Sequence, residues 1–205
     1  MYDKKAIGTL FFLIAAASAG VWLLRRGRVE KDPIRYNEEK VPTLLKVVVN
    51  TNTATNTNTM ETDKTLPRGY RNNNPLNVRY NAANKWLGKY TPNTDGAFEQ
   101  FKTMAYGYRC ALYLLRKYIT RYGCNTVRKI IQKWAPPTEN NTEAYIQHVC
   151  EIAGLNADKA VNAADEDTLT RMAYAMSIIE NGQNDRTKAA GLPNMSAIKE
   201  GWRLL

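Results

Sequence analysis

Three glutamates occupy positions in which a carboxyl group could do chemistry. Glu180 lies in the segment AMSIIENG, which reads as the last turns of a buried helix closed by Asn-Gly. The negative end of the helix dipole and apolar neighbours both disfavour a charged carboxylate there. Glu139 stands in the loop WAPPTENN, and Glu99 lies in a candidate strand. Cleavage of a glycosidic bond by general acid catalysis requires a carboxyl group that is protonated at neutral pH, which makes Glu180 the first catalytic candidate and Glu139 the second.

Each of these two residues also has a structural interpretation. Glu180 could be an exposed helix end that bonds to water, and Glu139 could be a brace that accepts N–H bonds from the following helix. The reaction type is open as well. Most glycosidases use two carboxyl groups, whereas a lytic transglycosylase needs one, because a hydroxyl of the substrate is the internal nucleophile.

Other catalytic chemistries find little support in the sequence. The chain has one histidine, His148, which lies in a predicted helix, where a structural role is favoured over a Ser-His-Asp or Cys-His mechanism. Its three cysteines, Cys110, Cys124 and Cys150, form no Cys-x-x-Cys pair. Neither a metal site nor a cofactor is therefore predicted. An odd cysteine count leaves at least one thiol free or paired between chains. A Cys110–Cys124 disulfide is one alternative that the sequence leaves undecided.

The charge balance points to a polyanionic partner. The 205 residues include 29 lysines and arginines against 19 aspartates and glutamates, a net charge of +10. An acidic wall polymer, an anionic membrane surface and nucleic acid are the candidates, beside solubility alone. Nucleic acid ranks last, because basic stretches such as 116–128 match no recognised binding motif.

Helices dominate the elements that must position these groups. Apolar residues at i, i+3, i+4 spacing predict a helix from Tyr108 to Tyr122 that ends at Gly123. Further helices are predicted over 126–134 with Asn125 as its cap, after the cap Thr142 up to Gly154, and over about 168–180 and 196–204. Residues 85–90 and 97–102 are predicted strands of a small hairpin. The predicted fold class is therefore α+β, mainly helical.

Two segments precede this domain. Residues 1–31 contain an uncharged run at 6–24 that is about long enough to span a bilayer and ends at arginines, which predicts a single-pass anchor with a cytoplasmic C-terminal side. A cleaved signal peptide is the alternative, because 17–19 reads Ala-Ser-Ala. Residues 32–66 are a Thr/Asn-rich flexible linker, since tracts such as NTNTATNTNT bury too little apolar area to fold. Residues 67–205 form the folded domain.

Several motifs in this domain resemble one family. RGYRNNNPLNVR at 68–79 resembles the RGIRNNNPGNIR opening of phage virion proteins that carry a lysozyme-like, peptidoglycan-degrading domain. WAPPTENNT at 134–142 and Glu-Asn-Gly at 180–182 continue the resemblance in order. It covers about 68 to 182 and none of the anchor or linker. One departure is Leu76, where the family pattern has glycine, and it bears on the backbone of that loop.

The resemblance implies a lysozyme-like domain with Glu180 as the acid. Because a segment at 139–149, loosely similar to a motif of soluble lytic transglycosylases, precedes Glu180, a circularly permuted version of this fold is an open variant. The resemblance also implies amides that bond the N-acetyl groups of a sugar, from Asn73, Asn74 and Asn77. It further implies rings that stack on sugars, from Trp86, Trp134 and Tyr145. Turn formation is the alternative for the asparagines and core packing for the rings.

The resulting functional prediction is a virion-associated enzyme, a muramidase or lytic transglycosylase, that opens the bacterial cell wall as the phage enters. Its predicted partners are peptidoglycan glycan strands, a lipid membrane and other virion proteins. Its predicted location is the virion, anchored by a single pass in a membrane such as one inside the capsid, and the host membrane during assembly. The alternative is a non-catalytic virion structural or glycan-binding protein that links membrane and capsid.

Overall fold

A computed structural model describes residues 64–138 and 140–205. The predicted anchor, nearly all of the predicted linker and Glu139 lie outside these residues. The described part contains seven helices: α1 (Arg68–Arg71), α2 (Met104–Tyr122), α3 (Val127–Trp134), α4 (Thr142–Ala153), α5 (Glu166–Asn181), α6 (Asp185–Ala189) and α7 (Met195–Arg203). No helix within 64–138 or 140–205 is long and apolar enough to cross a membrane.

Helix boundaries follow from local capping chemistry. Gly123 adopts a left-handed conformation with φ of 65° and ends α2, as predicted. The predicted caps of α3 and α4 are each wrong by one residue. Thr126 caps α3 and accepts a hydrogen bond from the backbone of Lys129, and Asn141 caps α4 in the same way. Two adjacent side chains could cap in each case, and the residue chosen is the last one with a non-helical backbone.

The core lies where α2, α4, α5 and α7 meet. The helix α2 packs most extensively against α7, and α4 packs against α5. Gly201 permits the first of these contacts, because a Cβ atom there would come within 2.8 Å of the backbone of Ala105 and Arg109. All three cysteines are free, so the Cys110–Cys124 bridge is not formed. The helix α5 packs against four others, α4, α7, α2 and α1.

The predicted α+β class is wrong for the described residues, which contain no strand. The segments predicted as a hairpin touch through one isolated bridge, Lys89 with Phe101, and a second bridge joins Arg79 to Phe98. Within six residues the chain changes partner: Glu99 N donates to Val78 O at 2.9 Å, and Phe101 N donates to Asn72 O at 3.0 Å. A β-ladder needs successive residues to pair with one strand. Residues 97–102 instead pair with three separate segments, at 72, 78–80 and 88–90. The predicted small hairpin is thus not formed within the described residues.

Candidate active site around Glu180

Glu180 is the penultimate residue of α5, and its backbone position at a helix end is confirmed. Gly182 closes the helix with φ of 72°. The carboxyl group receives side-chain hydrogen bonds from three other parts of the fold. Tyr145 of α4 donates its hydroxyl to Oε1 at 2.9 Å, and Trp134, the last residue of α3, donates Nε1–H to the same oxygen at 3.2 Å. Asn77 donates Nδ2–H to Oε2 at 3.1 Å.

Burial decides the electrostatics of this carboxyl group. Part of the Glu180 surface stays exposed, and three side-chain donors contact the carboxyl oxygens. Desolvation by burial raises the pKa of Glu180 above its ordinary value of 4.5. The hydrogen bonds from Asn77, Tyr145 and Trp134 and the positive charge of Arg79 oppose this effect, but they leave the pKa raised. The helix dipole acts in the same direction as burial.

The loop that presents Asn77 is built on left-handed backbone. Asn77 has φ of 49° and Asn73 has φ of 50°, a conformation that asparagine tolerates better than most residues. Asn77 N also donates to Asn74 O at 2.9 Å. Leu76, the departure from the glycine of the family pattern, is not left-handed; its side chain is fully buried in the core. The substitution therefore anchors the loop without backbone strain.

The donor set determines which protonation states the carboxyl group can adopt. The amide of Asn77 and the indole of Trp134 present N–H groups to Glu180, and these can only donate. The hydroxyl of Tyr145 can either donate or accept. The site can therefore hydrogen-bond both forms of the carboxyl group, with Tyr145 able to accept the proton of the neutral form.

The structure places the other predicted binding residues elsewhere. Asn74 is fully buried and braces the loop, because its amide donates to Val78 O and Glu99 O, both at 2.9 Å. Asn73 donates to a backbone carbonyl at 3.0 Å. Trp86 is 5% exposed and packs in a separate apolar cluster. Of the six predicted binding residues, Asn77, Trp134 and Tyr145 contact Glu180; a substrate-binding role for each of the six stays a prediction.

Glu99 is committed to a buried ion pair. Its carboxyl group lies 3.0 Å from Lys89 Nζ and accepts a backbone hydrogen bond from Asn81 at 3.1 Å. Burial raises the pKa of Glu99, while the bonds from Asn81 and Lys89 lower it. Lys89 also donates to the carbonyls of Asn81 and Asn84. This arrangement fixes residues 81–99 against each other and makes Glu99 a structural residue.

Arg79 lies near Glu180, although its residue type and spacing did not predict a role for it there. Its guanidinium lies 4.6 Å from the centroid of the Phe98 ring, and its charge acts on Glu180. Its place at the end of the RNNNPLNVR motif was the available signal.

Two surface depressions, of about 490 and 600 Å³, lie away from Glu180. Trp86 and Lys89 line one, Arg128 and Cys150 line the other, and Glu180 lines neither.

Similarity to a known protein shows the class in which this chain falls. No family model matches it. The chain belongs to a family of bacteriophage proteins, and a curated relative shows this. That relative is Protein P5 of Pseudoalteromonas phage PM2, which is 38% identical over 122 residues, an alignment that covers 58% of this chain and 74% of the relative. The prediction of a phage protein is thereby confirmed, and the similarity supports its assignment to the virion.

Proposed function

We propose that this phage protein is a virion component that cleaves the glycan strands of peptidoglycan, with Glu180 as the general acid. The observation that carries the proposal is the carboxyl group at the end of α5, which three side-chain donors hold in place and whose pKa burial raises. A carboxylic acid that holds its proton closer to neutral pH can protonate the leaving oxygen of a glycosidic bond.

Each contact of Glu180 has a part in this chemistry. Tyr145 and Trp134 fix the position of Oε1, and Asn77 fixes Oε2, so the proton is held at a defined place. After the proton leaves, the same three donors stabilise the carboxylate. The attacking group is either water, which gives hydrolysis, or a hydroxyl of the sugar itself, which gives a 1,6-anhydro product.

The test is release of soluble muropeptides from purified sacculi by the full 205-residue chain and by Glu180→Gln. We expect the substitution to reduce release by roughly 10²- to 10⁴-fold, the range for loss of a general acid. Chromatography of the products identifies reducing or 1,6-anhydro ends and so assigns the reaction type. Glu139→Gln, made in parallel, measures the role of the second predicted acid.

A second candidate function rests on the same contacts. A carboxyl group that bonds Asn77, Trp134 and Tyr145 joins a loop and three helices, which is also what a structural brace does. In that case the protein is a non-catalytic virion structural or glycan-binding protein. It would bind sacculi, release nothing from them, and lose stability when Glu180 is replaced.

A further inference from the structure

Aromatic rings lead outward from the Glu180 carboxyl group along the surface of α2 and α3. Trp134, which donates to Glu180, has its ring centroid 6.3 Å from that of Tyr118 at an interplanar angle of 61°. Tyr118 in turn lies 6.3 Å from Tyr122 at 75°. We call Trp134, Tyr118 and Tyr122 the aromatic strip.

The outer end of the aromatic strip is open and positively charged. Tyr122, in the last turn of α2, is 43% exposed. The ammonium group of Lys133 lies 4.1 Å from the centroid of the Tyr122 ring and 5.3 Å from that of Tyr118. Residues 103–138, which carry all of these side chains, include no aspartate or glutamate. An anionic ligand would therefore meet no repulsion from this stretch of chain.

We propose that the aromatic strip, with Lys133, is the track on which a carboxylated glycan strand lies as it extends away from Glu180. This inference rests on the proposed function and names how the same site holds its substrate. The strip is continuous with the carboxyl group through Trp134, so a strand cut at Glu180 has its neighbouring sugars beside these rings. Sugar rings present apolar C–H faces that pack on aromatic faces. Lys133 pairs with a carboxylate of the strand or its peptide stems.

The first experiment measures binding of the full chain to purified sacculi by co-sedimentation, corrected for protein that pellets alone. Tyr122→Ala should weaken binding roughly 3- to 10-fold, the effect of losing one aromatic contact. Tyr122→Phe keeps the ring and should bind like the unmodified protein. Tyr122→Leu keeps apolar volume without a flat face and should behave like the alanine variant. Ile152→Ala removes another exposed apolar side chain, 40% exposed on α4, and should change nothing.

A second experiment tests the charge. Lys133→Met should weaken binding to sacculi at low salt and leave binding of an uncharged N-acetylglucosamine hexamer, followed by tryptophan fluorescence, unchanged. An equal loss on both probes would overturn the pairing of Lys133 with a carboxylate. Wild-type binding by Tyr122→Ala and Tyr122→Leu, an equal loss in Tyr122→Phe, or an equal loss in Ile152→Ala would overturn the track itself. Full muropeptide release by Glu180→Gln would refute the proposed function instead, and the binding results would stand apart from it.

Discussion

Glu180→Gln separates chemistry from architecture, because glutamine keeps the shape of the side chain but cannot give up a proton. The carboxylate accepts three side-chain hydrogen bonds, whereas the glutamine amide has one acceptor oxygen. Its oxygen can keep the bonds from Trp134 and Tyr145. Its NH₂ group would face Asn77 Nδ2, and rotation of the Asn77 amide would present Oδ1, which is buried and accepts no hydrogen bond from the described residues. One lost bond is worth about 1 kcal/mol, and this rotation offsets it.

The pH dependence of stability gives the same variant a second readout. Because burial raises the pKa of Glu180 above 4.5, the folded state binds more protons than the unfolded state as pH rises from that value. Ionisation of Glu180 therefore costs no stability below pH 4.5. The cost grows as pH rises from 4.5 through the raised pKa of the folded state. Glutamine has no such cost. We expect Glu180→Gln to gain stability relative to the parent protein between acid and neutral pH.

The assays are muropeptide release from sacculi and urea unfolding across pH 4 to 8, with circular dichroism on each variant. The expected outcome is a folded variant with unfolding free energy within about 1 kcal/mol of the parent at pH 4 and a roughly 10²- to 10⁴-fold loss of release. Full activity in a folded Glu180→Gln variant would refute the assignment of the acid. A stability difference that moves the opposite way with pH would refute the raised pKa.

Three other substitutions test single contacts, one in the site and two elsewhere in the fold. Tyr145→Phe removes a hydrogen bond that lowers the pKa of Glu180, so the alkaline limb of the pH–rate profile should move to higher pH. Asp95→Asn should cost about 1–2 kcal/mol at pH 7 in urea unfolding, because hydrogen bonds led by Arg68 outweigh burial and lower the pKa of Asp95 from 3.8 to about 2; the difference should vanish as pH falls from 4 to 2. Gly69→Ala should lower stability by about 1–3 kcal/mol, measured by thermal melting, because a Cβ there would overlap Asn181 Oδ1. No change in any of these would contradict the corresponding contact.

Most of the helical fold could be predicted from hydrophobic periodicity and helix-capping residues in the sequence. The end of α2 at Gly123 and the range of α5 could be predicted from the spacing of apolar residues and from helix-capping residues, because local capping decides them. The short helix α6 was missed, although Asn184 and Thr187 form a capping box that a search for that motif could have found. The hairpin prediction failed for another reason. Alternating residues at 97–102 favour extended backbone, but whether extended backbone becomes a strand depends on partners from 72, 78 and 88–90, which local sequence does not reveal.

The candidate site could likewise be predicted only where local sequence determines it. The helix-end position of Glu180 could be predicted from the residues around it, since the dipole and apolar neighbours are local. Its hydrogen-bond partners could not, because Asn77, Trp134 and Tyr145 are separated from it by 103, 46 and 35 residues. Equivalent-looking asparagines take different roles once the loop folds. Asn74 turns inward to brace the backbone, whereas the left-handed φ of Asn77 directs its amide to Glu180.

The balance of forces on Glu180 argues for chemistry over bracing alone. A carboxylate used only as an acceptor is most effective when ionised, and its hydrogen bonds then hold its pKa down, as they do for Asp95, whose partners lower the pKa to about 2. Glu180 has hydrogen bonds from three side chains and the nearby charge of Arg79, yet its pKa remains raised. Its partners in direct contact are neutral, so they orient the group without compensating its desolvation. Burial raises the pKa of Glu99 as well, but that carboxyl group is paired with the cation of Lys89. Glu180 instead combines a raised pKa with a position fixed by three neutral donors, which is the combination that a general acid needs.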